Sequence, residues 1–306
     1  MVTPAPGRLA LLAGAAGVAL FSGMDATMKS LSLQHGVYNA MFWRMSFGII
    51  IIGALYLIGR PSKPSRQTLR LHVKRGALTL VMASLFFWGL TQIPLAQAVG
   101  LSFIAPIIAL FLAAWLINEP IVPNDYIASV IALLGVGVLL LEELLKFEMQ
   151  SLLGSGAVLL SAVMYAYNLI LQRQQALIAQ PLEISFYQTL VTFVGLALLA
   201  PWWAEPLPNF GAGVLAATAA SLALGALICF SYAYRHAVTA SLVTLEYTAF
   251  IWAAALGWIV FDESISLNTL SGTALIVAAC VFQIRGASKR IVPNEQITAR
   301  INNKAE

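Results

Sequence analysis

The sequence predicts an all-α polytopic membrane protein: ten transmembrane helices, arranged as two inverted five-helix repeats. Three observations carry that reading. Of 306 residues, 60% are apolar and only 10% are Asp, Glu, Lys or Arg, against about 25% charged residues in ordinary soluble domains. Mean hydropathy is +0.85. The apolar residues fall in runs of about 20, the length needed to cross a ~30 Å hydrocarbon core, and the first half of the chain echoes weakly in the second. So few polar residues cannot cover a soluble globule, which excludes a soluble enzyme, a disordered chain and a nucleic-acid binder. The net charge of +4 comes from short loops and a tail and is no nucleic-acid signal.

The spans, in order, are Leu9–Ser30, Tyr38–Ile58, Leu71–Thr91, Leu95–Ile117, Asn124–Leu145, Leu152–Leu171, Leu182–Ala200, Gly211–Tyr234, Thr239–Phe261 and Leu267–Ile284. Turn chemistry separates them: Gly59 to Pro64, Asn118-Glu119-Pro120, Gln180-Pro181, Pro201 to Pro208, and Asp262-Glu263-Ser264. Strands of a β-barrel would be about 10 residues long and alternate apolar with polar; these runs are longer and apolar on all sides. The first run continues through Phe21-Ser22-Gly23-Met24-Asp25 without a small-x-small cleavage site, so it reads as a span and not as a cleaved leader. Cys229 and Cys280 both lie in apolar runs and form no disulfide framework.

Ten spans put both termini on one side. Fourteen of the 17 Lys and Arg residues then fall there: Arg8, the cluster Arg60 to Arg75, Arg173, Arg235 and five in the tail. Only Lys29, Arg44 and Lys146 lie elsewhere. Cytoplasmic loops carry the excess of Lys and Arg, so both termini are expected in the cytoplasm of a bacterial inner (plasma) membrane. The expected division is a first five-helix repeat over 1–145, a second, inverted repeat over 150–285, and a basic cytoplasmic tail over 286–306.

The repeat is carried by Ile93-Pro94-Leu95-Ala96 through Asn118-Glu119-Pro120, which echoes Ala237-Val238-Thr239-Ala240 through Asp262-Glu263-Ser264 at an offset of 144. Each ends a long apolar run in an acidic hairpin. At that offset Arg44 matches Gln188, Trp88 matches Tyr232 and Ser102 matches Glu246, while a slightly shorter offset aligns Gly17–Lys29 with Gly156–Asn168. Five is odd, so the second copy enters the membrane from the opposite side, an arrangement typical of transporters with a substrate path at the repeat interface.

Leu20 to Lys29 in span 1, Phe42-Trp43-Arg44 in span 2 and the close of span 4 in Leu116-Ile117-Asn118-Glu119-Pro120 resemble the drug/metabolite transporter superfamily, EamA type, over residues 8–285. The resemblance implies a carrier of small metabolites, with spans 1, 3, 4, 6, 8 and 9 lining a central cavity and spans 5 and 10 at the periphery. Similar members export amino acids, aromatic ones among them. The family hairpin has Gly before the Glu; here Asn118 and Asp262 stand in that place.

A charge at the centre of a span costs at least about 2.5–3.5 kcal/mol, so four residues stand out: Asp25, Lys29, Arg44 and Glu246. At ~1.5 Å per residue, Asp25 and Arg44 lie at similar depth in consecutive spans, where they can pair as a helix tie or rim an outer gate. Lys29 reaches the outer interface, free to snorkel or to pair with Asp25 at i,i+4. Glu246 lies ~10 Å deep on the inner side, with no Lys or Arg expected in a span at that depth. Its neighbours Thr239, Ser241, Thr244, Tyr247 and Thr248 make span 9 the most polar. It is a candidate for a substrate ammonium or a proton, or for a bond to Arg235.

Phe21, Trp88, Phe103, Tyr165, Tyr232 and Tyr247 form an aromatic layer suited to a ring-bearing or cationic substrate, though packing alone also uses such residues. Asn168 and Gln188 mirror Lys29 and Arg44 without charge. Pro106, mid-span, is expected to kink span 4 near Ser102. The candidate substrate-binding set is therefore Phe21, Asp25, Trp88, Phe103, Tyr165, Asn168, Tyr232, Glu246 and Tyr247. The candidate gate or helix-pairing set is Lys29, Arg44, Ser102, Pro106 and Gln188.

The chain has no P-loop, no zincin motif and no nucleophile elbow, so no catalytic residue, cofactor or metal is expected. The resulting expectation is a secondary exporter or facilitator working by alternating access of two rocking halves, with amino acids favoured as substrate. Carriers of other organic cations or of sugar- and nucleotide-type metabolites, and a lipid-acting membrane enzyme, remain alternatives. Sugar phosphates would want several buried cations, and only Arg44 lies deep in this reading. The expected partners are a small-molecule substrate and the lipid bilayer, with no nucleic acid. A monomer is the simplest assembly, and oligomeric state, direction and coupling ion stay open.

Overall fold

The computed structural model describes residues 8–59, 64–117, 121, 123–207, 209–236 and 245–287. Among these, every regular element is a helix. The order is α1 (Arg8–Ile58), α2 (Arg66–Leu90), α3 (Leu95–Ser102), α4 (Ala105–Ile117), α5 (Pro123–Lys146), α6 (Met149–Ala176), α7 (Pro181–Trp203), α8 (Phe210–His236), α9 (Ala249–Phe261) and α10 (Leu267–Ala287). Among the described residues, seven apolar helical segments are long enough to cross a bilayer, the first being Leu9–Ile58, and two shorter apolar helices follow.

That first helix holds spans 1 and 2. Gly36, at φ 76° and ψ 153°, breaks it, in a backbone region open to glycine and costly for other residues. His35 and Trp43 are eight residues apart, ~12 Å along a straight helix, yet their rings meet edge to face at 5.2 Å. The chain therefore folds sharply at Gly36. Elsewhere the helix starts are capped locally: Ser65 Oγ accepts from Thr68 N at 3.1 Å, Asn209 Oδ1 from Ala212 N at 2.8 Å, and Ser266 Oγ from Thr269 N at 3.0 Å.

Packing follows a two-fold pattern. Span 1 lies on span 8, where Gly17 faces Phe230 and Gly23 faces Leu222. Its counterpart is span 6 on span 3, where Gly89 faces Val158. Spans 5 and 10 cross so closely that a Cβ on Gly135 would lie 2.7 Å from the carbonyl oxygen of Gly272, and the reverse holds at the same distance. Such contacts between small residues let backbones approach without a hydrophobic driving force in lipid. The outer surface is apolar, with Leu133, Leu134, Trp258, Ile259 and Leu267 exposed. Asp25, Lys29, His72, Arg75, Asn168 and Gln175 are buried inside, the inside-out distribution a bilayer imposes.

Spans 3 and 9 depart from the sequence expectation, while span 4 is interrupted near Ser102, where a kink is expected. Span 3 starts at Arg66, so Arg66 to Arg75 are helical and not a loop cluster. Span 4 is broken, ending its first piece at Ser102 and restarting at Ala105. Span 9, expected to be continuous, breaks at Tyr247-Thr248. The hairpin Asn118-Glu119-Pro120, the residues Thr239, Ser241 and Thr244, and the tail from 288 lie outside the described residues.

Candidate functional site

The two breaks are one feature used twice. In span 4, Ile104 N donates to Leu101 O, and Ile107 N and Ile108 N both donate to Ile104 O. In span 9, Thr248 N donates to Leu245 O, and Ile251 N and Trp252 N both donate to Thr248 O. Each bond recurs at the 144-residue offset. Pro106 sits in the first turn of α4, where its missing N–H leaves no bond unmade, but span 9 makes the same break without a proline. The break is thus a property of the repeat, with proline accommodated rather than causal. Ser102 closes the first piece by donating its hydroxyl to Ala98 O at 2.9 Å.

Phe103 and Tyr247 occupy the equivalent position at the two breaks, and their rings meet edge to face at 5.3 Å. The Phe103 carbonyl, released from the helix ladder, accepts from Cys280 Sγ at 3.4 Å. Interrupted helices facing each other across the repeat interface mark where irregular backbone lines a path through a membrane.

On the side away from the termini, Lys29 is buried and neither snorkels nor pairs with Asp25. Its Nζ donates to Glu263 Oε1 and, at 2.8 Å, to Ile93 O, with the Phe261 ring 5.2 Å away. Glu263 Oε2 accepts from Leu95 N at 2.8 Å, at the buried N-terminal end of span 4, where the first N–H groups have no partner in the helix and an anion is favoured. One carboxylate thus ties spans 1 and 4 to the 9–10 hairpin. The hairpin is shaped for this: Asp262 takes the left-handed conformation at φ 55° and ψ 31°. Asp and Asn are the residues after Gly that tolerate this region best, which accounts for Asp262 standing where the family has Gly. On the same side Glu143 Oε1 accepts from Gln97 Nε2 at 2.7 Å and Ser155 Oγ at 3.0 Å, joining spans 4, 5 and 6.

Asp25 and Arg44 feel one another's charge, as their matched depth implies, but no ion pair between them closes within 4 Å among the described residues. Arg44 lies over the Phe87 ring, 5.9 Å from its centroid.

The terminal side holds the residue that sequence reasoning missed. Arg75 is buried on span 3. Its Nε donates to Asn168 Oδ1 at 2.9 Å, Nη1 to Gln175 Oε1 at 2.7 Å and Nη2 to Gln172 Oε1 at 3.3 Å. These are neutral amides, all from span 6. Tyr165 lies within electrostatic reach of both Arg75 and Glu246, so the expectation of no cation near Glu246 is corrected, and Glu246 is not isolated. Tyr165 keeps 39% of its surface accessible. A signal was legible: with span 3 capped by Ser65 and starting at Arg66, the residues Thr68, His72, Arg75, Gly76 and Thr79 fall on one face at helical spacing, and all are buried.

The remaining candidates are placed but not brought into one cluster. Phe21 is 48% exposed, while Trp88 and Tyr232, equivalent in the repeats, are 40% and 39% exposed. Gln188 is half-buried on span 7. Arg235, the expected alternative partner of Glu246, has no described side chain.

Comparison with known proteins follows the same outline. The chain is similar to an S-adenosylmethionine uptake transporter of Rickettsia prowazekii, 25% identical over 270 residues, covering 87% of this chain and 88% of that one. It is similar to the pseudopaline exporter CntI of Pseudomonas aeruginosa, 26% identical over 264 residues, covering 85% and 90%. A riboflavin transporter of Brucella anthropi is 24% identical over 285 residues, covering 88% and 96%. A solved crystal structure superposes with a TM-score of 0.58 at 18% identity, covering 89% of this chain and 96% of the other; at that identity it speaks for the fold alone. The EamA-like transporter family model matches twice, over residues 8–141 and 152–285. With the two matches following the two halves of a bundle whose interrupted helices meet at their seam, this chain belongs to the EamA-like transporter family, the membrane carriers of small metabolites.

Proposed function

We propose that the chain carries small zwitterionic metabolites, amino acids and compounds bearing an amino-acid group, by alternating access of its two repeats. The observation that carries this is the trio Arg75, Tyr165 and Glu246. A buried guanidinium held by neutral amide oxygens keeps its full charge and spare N–H donors, so it suits a carboxylate in bidentate geometry. Glu246, within electrostatic reach of the same ring, suits an ammonium or sulfonium, and the Tyr165 face adds a cation–π or stacking surface. Of the relatives' named substrates, S-adenosylmethionine is an amino acid with a cationic sulfur and a ring system, which fits all three. The relatives include an uptake transporter and an exporter; the same site serves either direction, and the gradients acting on it set which. In this proposal both termini lie in the cytoplasm of a bacterial inner membrane.

Sugar phosphates would want several unpaired buried cations. Arg75 is a second deep guanidinium and Lys29 a further buried cation, but Lys29 is neutralised by Glu263, and Glu246 beside Tyr165 opposes a polyanion.

The test is counterflow in proteoliposomes with labelled S-adenosylmethionine, phenylalanine and threonine, with and without a pH gradient. Arg75→Gln and Glu246→Gln should each cut exchange of the carried substrate at least about tenfold, the worth of one buried charge-assisted hydrogen bond. Unchanged rates in both variants, or equal transport of a substrate lacking its carboxylate, would reject the assignment.

A further inference from the structure

Span 3 buries a histidine beside Arg75 for which the transport reading has no use. His72 is fully buried. Its Nδ1 lies 2.9 Å from Gln175 Nε2, and its Nε2 lies 3.1 Å from Glu183 Oε1. The ring stacks on Tyr187 at 4.8 Å and 7°.

The direction of every bond in this chain is set by Arg75. A guanidinium has only donors, so Gln175 must turn Oε1 to Arg75 and its NH2 group to His72. An amide NH2 only donates, so His72 Nδ1 must accept. The neutral ring's proton is then on Nε2, donated to Glu183. The line reads Arg75 to Gln175 to His72 to Glu183, joining spans 3, 6 and 7 from a cation to a carboxylate.

We propose that Nδ1 of His72 is a proton-binding site whose occupancy is exclusive with the Gln175 anchor on Arg75. A proton arriving from water on the terminal side, past the partly exposed Glu183, forms one N–H bond on the Nδ1 lone pair; no other covalent bond breaks. The new N–H then points at the NH2 of Gln175, donor against donor. Relief requires the amide to turn by half a revolution, which presents NH2 to the Arg75 guanidinium and loses that anchor. Protonation therefore loosens Arg75 from span 6 and adds a second positive charge on span 3.

The groups facing His72 support a proton there without requiring one. Span 7 offers Glu183 and Tyr187, span 2 offers Tyr56 behind Tyr187 at 6.0 Å, and span 6 offers the neutral Gln175. On span 3 itself, Arg75 opposes the charge, while Arg70 and Lys74 are exposed on the other face. Where Arg75 holds a substrate carboxylate, which rests on the function proposed above, the relay links proton and substrate.

The titration of each histidine is read by exchange of its ring C2–H, using mass spectrometry on the full-length purified protein. Gln175→Met removes the opposing donor without adding charge, so the His72 midpoint should rise by about one pH unit, a tenfold easier protonation. Gln172→Met, which touches Arg75 but not His72, should leave it in place. Gln175→Ala reads the same way if the Met variant does not fold. A His72 midpoint unmoved or lowered by both Gln175 variants would overturn the proposal, because burial alone gives that result. In proteoliposomes loaded with labelled S-adenosylmethionine, His72→Gln should flatten the pH profile of exchange. A flat wild-type profile would overturn the link to transport. No exchange at any pH would sink the substrate assignment and leave the ring-exchange result to decide the relay.

Discussion

Phe103 and Tyr247 are 144 residues apart, hold the same place in their respective repeats, and touch edge to face at 5.3 Å. Only residues near the axis relating two copies can meet their own counterparts. The contact therefore locates the seam of the molecule, and the two helix breaks place that seam where backbone groups are released from the ladder.

Truncating this contact should be felt from both sides. Aromatic pairs contribute about 0.5–1.5 kcal/mol beyond their area. Phe103→Ala and Tyr247→Ala should each lower the melting temperature in detergent. The double variant should fall short of the sum by about that coupling energy. Strict additivity would mean the rings only happen to be neighbours.

The Lys29–Glu263 tie should behave as a buried ion pair. Removing one partner strands a charge and destabilises by about 3–5 kcal/mol, whereas removing both is far milder. Glu263→Gln and Lys29→Met are each expected to melt early, and Lys29→Met with Glu263→Gln to recover most of the loss. Thermal unfolding followed by fluorescence-detected size exclusion gives the comparison. A double variant as unstable as the worse single one would contradict the pairing.

Gly257 makes room for that tie. A Cβ there would lie 2.7 Å from Glu263 Oε2, so Gly257→Ala must push the carboxylate off Lys29 or off Leu95 N. The expected result is most of the Glu263→Gln phenotype in the same melt, with little added effect when the two changes are combined. A fully additive double variant would show that Gly257 matters for another reason.

Spans 5 and 10 should not tolerate side chains at their crossing. In Gly135→Ala and Gly272→Ala the new methyl meets a carbonyl at 2.7 Å, overpacking of a kind that costs about 1–3 kcal/mol. Gly137, with no neighbour within 4 Å of its Cβ position, should accept Ala silently, so melting Gly137→Ala beside Gly135→Ala checks the geometry.

Much of the architecture was legible in the residues. Apolar length and the Pro- and Gly-bearing breaks are local properties, the recurrence at 144 residues is read by laying the sequence on itself, and a bilayer converts apolar length directly into a crossing helix. The depth match of Asp25 with Arg44 followed from rise per residue in the same way. The polar interior was legible only in part. Arg75 falls within the span read from Leu71 yet counts there among the cytoplasmic cations by its place near the span's end; the helix capped by Ser65 turns it inward with His72. Lys29 was given the partners its own helix offers, yet its acid lies 234 residues away.

The sequence alone thus determined that this chain crosses a membrane as two related bundles, since hydropathy and repetition are sums over neighbours along the chain. Only the tertiary structure decided which buried charges meet, that span 9 breaks without a proline, and that Phe103 faces its own counterpart. Those outcomes depend on how helices far apart in the chain pack, and in a low-dielectric interior each buried polar group takes whichever partner that packing brings within hydrogen-bond reach.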